Sequence, residues 1–241
     1  MVLSLEIISA LLPLFVAIVV LVLLFFLMQP RRFYFIRHGE TLLNADHVKQ
    51  GEEGGLSESG KQQAARIGEL LAPLHIRKII SSPYTRARET AIIINEHVHV
   101  PILYSPLLVE RKNPTEVIGK STHDPNVVHI VDQIDYAYHD DAYRYSDEEN
   151  FIDMKGRARK CLALLARQGA HTTCVITHHA FLKMLLASML YGENLHAGNF
   201  IKLSFFNTSD NGGISTCEYH PWKMFSSTRG WEIISYNEQP N

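Results

Sequence analysis

Charge of one sign is what this sequence most lacks. Its 23 Lys and Arg against 25 Asp and Glu leave a formal net charge of −2, so no basic field invites a nucleic acid. Cysteine is scarce as well. Cys161, Cys174 and Cys217 are the three present, an odd set that builds no disulfide framework and fits a reducing compartment. Internal repeats and low-complexity tracts are also missing, and the roughly 210 residues that follow the first thirty suit one domain.

The opening segment lacks charge altogether. Ile7 to Met28 carries no Asp, Glu, Lys or Arg and is almost wholly Leu, Ile, Val, Phe and Ala. At ~1.5 Å rise per residue such a helix spans roughly 33 Å, enough for a bilayer core, and Pro13 sits near one end where it costs little. A cleaved signal peptide would carry a basic start and a small-x-small site before Pro30, and neither is there. The sequence therefore predicts an anchor over 1–30 (span 7–28) and a soluble domain over 31–241. Glu6 precedes the span and Arg31 and Arg32 follow it, which places the domain in the cytoplasm by the positive-inside rule.

Along the domain, apolar β-prone runs alternate with helical spacing. Strands are expected at 32–36, 78–81, 102–108, 173–177, 200–206, 214–220 and 231–236. Helices are expected at 59–71, 84–97, 150–167 and 181–190, with 113–147 irregular. This alternation predicts an α/β fold on a mainly parallel sheet, with the closely spaced last strands added antiparallel. Ligands of such sheets gather at the carboxyl ends of the strands. His38, Ser82, Glu110 and His178 all fall at or just beyond such ends.

Three stretches carry chemistry. Arg37-His38-Gly39-Glu40 ends the first strand: an imidazole nitrogen is a nucleophile, a guanidinium holds phosphate, and the glycine is expected to let an anion approach the backbone. Ser81 to Ala91 runs from a strand into a helix start, where free N–H groups favour an anion and Arg86 in the first turn can point at it; Arg88 points elsewhere. Val175 to His179 is a buried strand ending in a histidine pair. His178-His179 and His97-Val98-His99 invite a metal reading, but neither pair comes with Cys or carboxylate partners at ligand spacing.

Together these stretches resemble the histidine phosphatase (phosphoglycerate mutase-like) superfamily over residues 32–236. The motifs run in order: Arg37-His38-Gly39-Glu40-Thr41 with Asn44, Gln50-Gly51, Leu56-Ser57-Glu58-Ser59-Gly60 with Gln63-Ala64, Ser82-Pro83 with Arg86-Ala87 and Thr90-Ala91, Glu110, and Thr177-His178. The resemblance implies a three-layer α/β/α sandwich with a mostly parallel mixed sheet, preceded here by the transmembrane helix. It implies that His38 carries the phosphoryl group and that Arg37, Arg86 and His178 clamp the phosphate, with Asn44 adding a hydrogen bond. Glu110 would protonate the leaving oxygen and deprotonate the attacking water, with no metal or other cofactor required. His179 stands where the family commonly has glycine and is a candidate substrate contact.

Glu52-Glu53-Gly54-Gly55 and Arg111-Lys112-Asn113-Pro114 also depart from the family pattern, and the arginine- and proline-rich substrate segment of glycolytic mutases is missing. A phosphomonoester hydrolase is therefore expected, with a mutase or an inactive phosphate-binding module as alternatives. The expected substrate is a phosphorylated small molecule, a lipid phosphate or a phosphoprotein. The segment 111–147, with Arg111, Lys112, His123, His129, Tyr136, Tyr138, His139 and Tyr143, is expected to cover the pocket.

Overall fold

The computed structural model describes residues 2–137, 139–169, 171–206 and 209–239, with side chains except those of 2–10, 26–27 and 204–206. In chain order the helices are α1 (Val2–Leu27), α2 (Leu42–Ala45), α3 (Glu58–Leu71), α4 (Thr85–Val98), α5 (Pro125–Tyr136), α6 (Phe151–Ala166), α7 (His179–Tyr191) and α8 (Ala197–Phe206). The strands are β1 (Arg31–Arg37), β2 (Lys78–Ser81), β3 (Ile102–Tyr104), β4 (Thr172–Thr177), β5 (Ile214–Tyr219) and β6 (Trp231–Glu238).

They form one sheet in the order β3-β2-β4-β1-β5-β6. The first four are parallel, while β5 and β6 add antiparallel. Strand β1 is apolar at every position from Phe33 to Ile36 because both its faces are covered. Alternation divides the run. Phe33 and Phe35 pack with Val175 and with Met154, Leu165 and Phe181 of α6 and α7. Tyr34 and Ile36 pack with Ile67, Ala91 and Ile94 of α3 and α4. The result is the expected α/β/α sandwich with a mixed sheet.

Four expectations need correction. Residues 200–206 form the end of helix α8, not a strand. The extended run after Ile102 stops at Tyr104, because Pro106 starts a short 3-10 turn, Pro106–Leu108, capped by the Ser105 side chain on Leu107 N at 3.3 Å. The segment expected to be irregular contains α5, started by Asp124 and Pro125 in the N-cap and first-turn positions that suit them; within that segment, Tyr138 lies outside the described residues. The helix expected over 84–97 starts at Thr85, because Tyr84 holds the extended N-cap position.

Helix α1 is 26 residues long and contains Pro13. Its described side chains, Leu11 to Phe25, are all exposed, with Leu21 at 65% and Phe25 at 64%. Among the described residues no helix is long and apolar enough to cross a membrane. Three residues after α1, β1 begins. The seven residues of β1 then separate its amino end from His38, a distance of roughly 23 Å at ~3.3 Å per residue.

Candidate active site

The site lies where β1, β4 and β2 end together. Arg37 is in register with Thr177, and Ile176 with Ser81, so the residues that follow, His38, His178 and Ser82, meet at one rim. All three are buried, and the two imidazole rings stand 5.0 Å apart.

Two contacts orient His38. Its Nδ1 lies 2.7 Å from the Gly39 carbonyl, which accepts a proton but cannot supply one, so Nδ1 is the protonated nitrogen. Nε2 therefore keeps its lone pair and receives a hydrogen bond from Arg86 Nε at 3.2 Å. Burial, then the Arg86 and Arg37 charges, hold the imidazole well below its ordinary pKa despite the opposing Gly39 bond. The ring is neutral at pH 7 and its nucleophilic nitrogen is defined.

Gly39 serves packing where anion access was expected. Its N–H is taken by Thr90 Oγ1 at 3.1 Å. A Cβ on Gly39 would stand 2.5 Å from the Gly60 carbonyl oxygen, and one on Gly60 would stand 2.0 Å from the Glu40 carbonyl oxygen. The two glycines let the end of β1 and the first turn of α3 touch backbone to backbone. That turn is fixed by its N-cap Ser57, which accepts from Gly60 N at 3.0 Å and donates to Glu40 at 2.7 Å.

Arg86 enters from the first turn of α4. Its Nη1 donates to the Gly51 carbonyl at 2.9 Å, and its guanidinium lies 5.2 Å from the centre of the Tyr84 ring. Arg37 donates through Nη1 to the Ser209 carbonyl, while its buried Nε has no partner among the described residues. Arg88 faces away, its guanidinium 4.4 Å from the centre of the Tyr104 ring.

At His178, Nε2 is 2.8 Å from Ser82 Oγ, and Ser82 Oγ accepts from Tyr84 N at 3.3 Å. When the hydroxyl gives its proton to Nε2, the imidazole proton sits on Nδ1. That Nδ1 is buried without a hydrogen-bond partner among the described residues. An unmet donor beside the His38 ring is what a phosphoryl oxygen would satisfy. Burial first, then His38 and the arginines, hold His178 well below its ordinary pKa.

Glu110 follows the Pro106–Leu108 turn and reaches the amino end of α7. Oε1 accepts from Arg111 N at 2.8 Å and Phe181 N at 3.0 Å, and Oε2 from Ala180 N at 3.1 Å. Arg157, which sequence reasoning missed, holds this segment by donating to the Leu107 and Val109 carbonyls at 3.1 and 2.7 Å while paired in parallel with Glu149. Asn211 was missed too. Its Nδ2 donates to the His38 carbonyl at 3.0 Å and to Asn44 Oδ1 at 3.4 Å. Asn44 thus has its amide oxygen turned to Asn211 and to Thr41 N.

His179 points beside the site, with Nδ1 3.0 Å from the Ser209 carbonyl that also receives Arg37. Burial, followed by Arg37 and Lys183, lowers its pKa to about 4. It lines a cavity of about 460 Å³ with Arg111, Lys183, Phe151, Met154 and Phe200. A second cavity of about 440 Å³, lined by Tyr84, Glu110, Arg111 and Lys112, opens on the other side of Arg111. His38 lines neither and lies deeper, at 4% exposure. Of the residues singled out in the 111–147 segment, Arg111, Lys112 and Tyr143 line these walls, joined by Asp135, Asp140 and Ile118. Among the described residues no group of three or more His, Cys, Asp or Glu is placed to hold a metal.

The family described as Histidine phosphatase superfamily (branch 1) matches residues 33–230, and the chain belongs to it. The chain is 40% identical over 78 residues to a probable phosphoglycerate mutase of Erwinia tasmaniensis, a match covering 32% of this chain and 36% of that protein. It is 27% identical over 190 residues to a broad-specificity phosphatase of Saccharomyces cerevisiae, covering 74% and 76%. The chain spans between 17 and 42% of the length of four of the curated relatives it matches. A solved mycobacterial glucosyl-3-phosphoglycerate phosphatase superposes with a TM-score of 0.72 at 22% identity, over 88% of this chain and all of that one, which establishes the fold.

Proposed function

We propose that this chain hydrolyses phosphomonoesters through a phosphohistidine on His38. The observation that carries the reading is the pair of contacts on that ring: Gly39 O on Nδ1 and Arg86 Nε on Nε2. In the first step Nε2 attacks phosphorus, the P–N bond forms and the ester P–O bond breaks. Protonated Glu110 gives its proton to the leaving oxygen. In the second, water attacks the phosphohistidine, the P–N bond breaks, and the Glu110 carboxylate takes the water proton. Phosphate leaves and neutral His38 returns. Arg37, Arg86 and His178 Nδ1 hold the phosphoryl oxygens, where charge spreads in an in-line transfer. Oε2 of Glu110, with a single backbone partner, is the oxygen suited to proton traffic. Asn44 and His179 lie at the edge of the site as substrate contacts.

Residues 1–30 anchor the domain 31–241 to a membrane, with the domain on the cytoplasmic side. Support comes from the uncharged sequence Ile7 to Met28, from the exposure of the described α1 side chains Leu11 to Phe25, from Arg31 and Arg32 after the helix, and from three buried free cysteines. The distance of roughly 23 Å along β1 between tether and nucleophile favours a soluble phosphorylated small molecule over a lipid headgroup of the same bilayer or a membrane-bound phosphoprotein.

Turnover of a panel of soluble phosphomonoesters by the full-length protein, with the His38→Ala variant beside it, tests the enzyme reading. No release of phosphate from any ester sinks it. Activity that requires a bisphosphorylated primer and returns an isomeric monophosphate assigns a mutase instead. Extraction of the membrane fraction with alkaline carbonate tests the anchor, which predicts that the protein stays in the pellet.

A further inference from the structure

We infer that the loop 220–230 is a second membrane contact, which seats the amino rim of the sheet on the surface of an anionic bilayer and turns the active site away from it. The inference rests on the anchor reading above and concerns residues far from it in sequence.

The register places the loop. Arg31 opposes Tyr219 across β1 and β5, and Tyr219 opposes Trp231 across β5 and β6. Residues 220–230 therefore close the hairpin beside the amino end of β1, three residues from the last turn of α1. A chain that enters β1 from a bilayer brings this loop to the same surface, because three residues reach only about 10 Å.

Its composition fits that surface. Phe225 is 94% exposed, Met224 52% and Trp222 48%. These three large apolar side chains sit on one short loop, close to Lys223. Other exposed apolar side chains of the domain, such as Leu42, Ile92 and Tyr136, are spread over separate elements. An exposed patch of this kind marks a contact surface, and an aromatic with a neighbouring cation is the pairing found at a membrane interface. His220 and Gly230 close the loop with a backbone bond of 2.8 Å, so the tip is presented on a formed turn.

The surrounding charge selects an anionic surface. Arg77 precedes β2 and Arg167 lies before β4, both on the amino rim, both exposed, and neither in an ion pair among the described residues. Arg229 and Lys223 are on the loop itself and are paired with Glu193 and Glu232. Cations near an anionic leaflet add attraction that fades within a Debye length. With this rim on the lipid, His38 lies at the opposite ends of the strands, and its pocket opens to water.

The full-length protein in vesicles of phosphatidylcholine and phosphatidylserine tests this. All three native cysteines are buried, so Phe225→Cys accepts an environment-sensitive dye at one place. Leu42→Cys, 66% exposed and on the catalytic rim, reports the other end. The expected result is a blue-shifted dye at position 225 that nitroxide lipids quench and aqueous iodide does not, with the reverse at position 42. Carbonate-resistant protein whose two dyes are equally open to iodide overturns the loop contact and leaves the anchor standing. A dye at 225 shielded from iodide yet untouched by nitroxide lipids also overturns it, in favour of a protein partner. Protein that never stays with the vesicles overturns the anchor reading, and the loop contact with it.

Discussion

Arg86 Nε stands 3.2 Å from His38 Nε2 and donates to the nitrogen that attacks phosphorus in the proposed reaction. On the proposed reading, the same guanidinium turns to the phosphate oxygens on binding and frees Nε2. Binding and activation of the nucleophile thus share one side chain.

Replacing Arg86 removes both. Arg86→Ala is expected to lower kcat by roughly 10²–10³-fold, the range for deleting one preorganised donor to a developing charge. Arg86→Lys should recover little, because an ammonium cannot reproduce a planar fork. Steady-state kinetics on a soluble phosphomonoester reads this. A lysine variant with near wild-type kcat contradicts the role.

Ser82→Ala removes the hydroxyl that is hydrogen-bonded to His178 Nε2. The loss is one hydrogen bond deep in the site, about 1 kcal/mol or fivefold in kcat/KM, with little change in the urea midpoint. Loss of folding without a kinetic effect on the remaining native protein would assign Ser82 a structural role only.

Gly39→Ala forces a methyl against the Gly60 backbone, 2.5 Å from its carbonyl oxygen. Neither neighbour is a flexible side chain, so the strand end or α3 must shift, at a cost of about 1–3 kcal/mol. Urea unfolding measures it. An alanine variant as stable as wild type would mean that the contact relaxes freely.

Acid should loosen the fold through its histidines. His38, His178 and His179 all have lowered folded pKa values, the last about 4. Below the unfolded value of about 6.5, the unfolded chain binds protons that the native chain refuses, so stability is full above 6.5 and falls as pH drops towards 4. The slope is about 1.4 kcal/mol per pH unit for each histidine involved. His179→Asn should flatten it by one proton. Unfolding midpoints unchanged between pH 7 and 5 would contradict the buried, neutral state.

Much of this was legible beforehand because the signals are local. The run Phe33 to Ile36 declares a strand covered on both faces, and the order of His38, Arg86, Glu110 and His178 at element ends places one rim. The illegible parts depend on tertiary partners. Gly39 was read for its small size, but only the position of Gly60 reveals what that size is for. Asn211 belongs to an Asp-Asn-Gly-Gly turn, and nothing local says that it faces His38. Arg157 lies within α6 with no motif around it, and its task is set by the carbonyls of Leu107 and Val109 across the fold. The 200–206 run has apolar residues that suit strand or helix alike, and its packing on Phe151 through Phe200 goes with the helix.

The most direct test is to trap the phosphorylated protein. Full-length enzyme mixed with a radiolabelled phosphomonoester and quenched in alkali should carry label that survives base and is lost in acid, as a phosphoramidate does. His38→Ala should carry none, while Glu110→Gln, given an ester whose leaving group departs without a proton, should retain label longer than wild type because its second step lacks a base. Active enzyme that never acquires label, or label that persists in His38→Ala, contradicts the account.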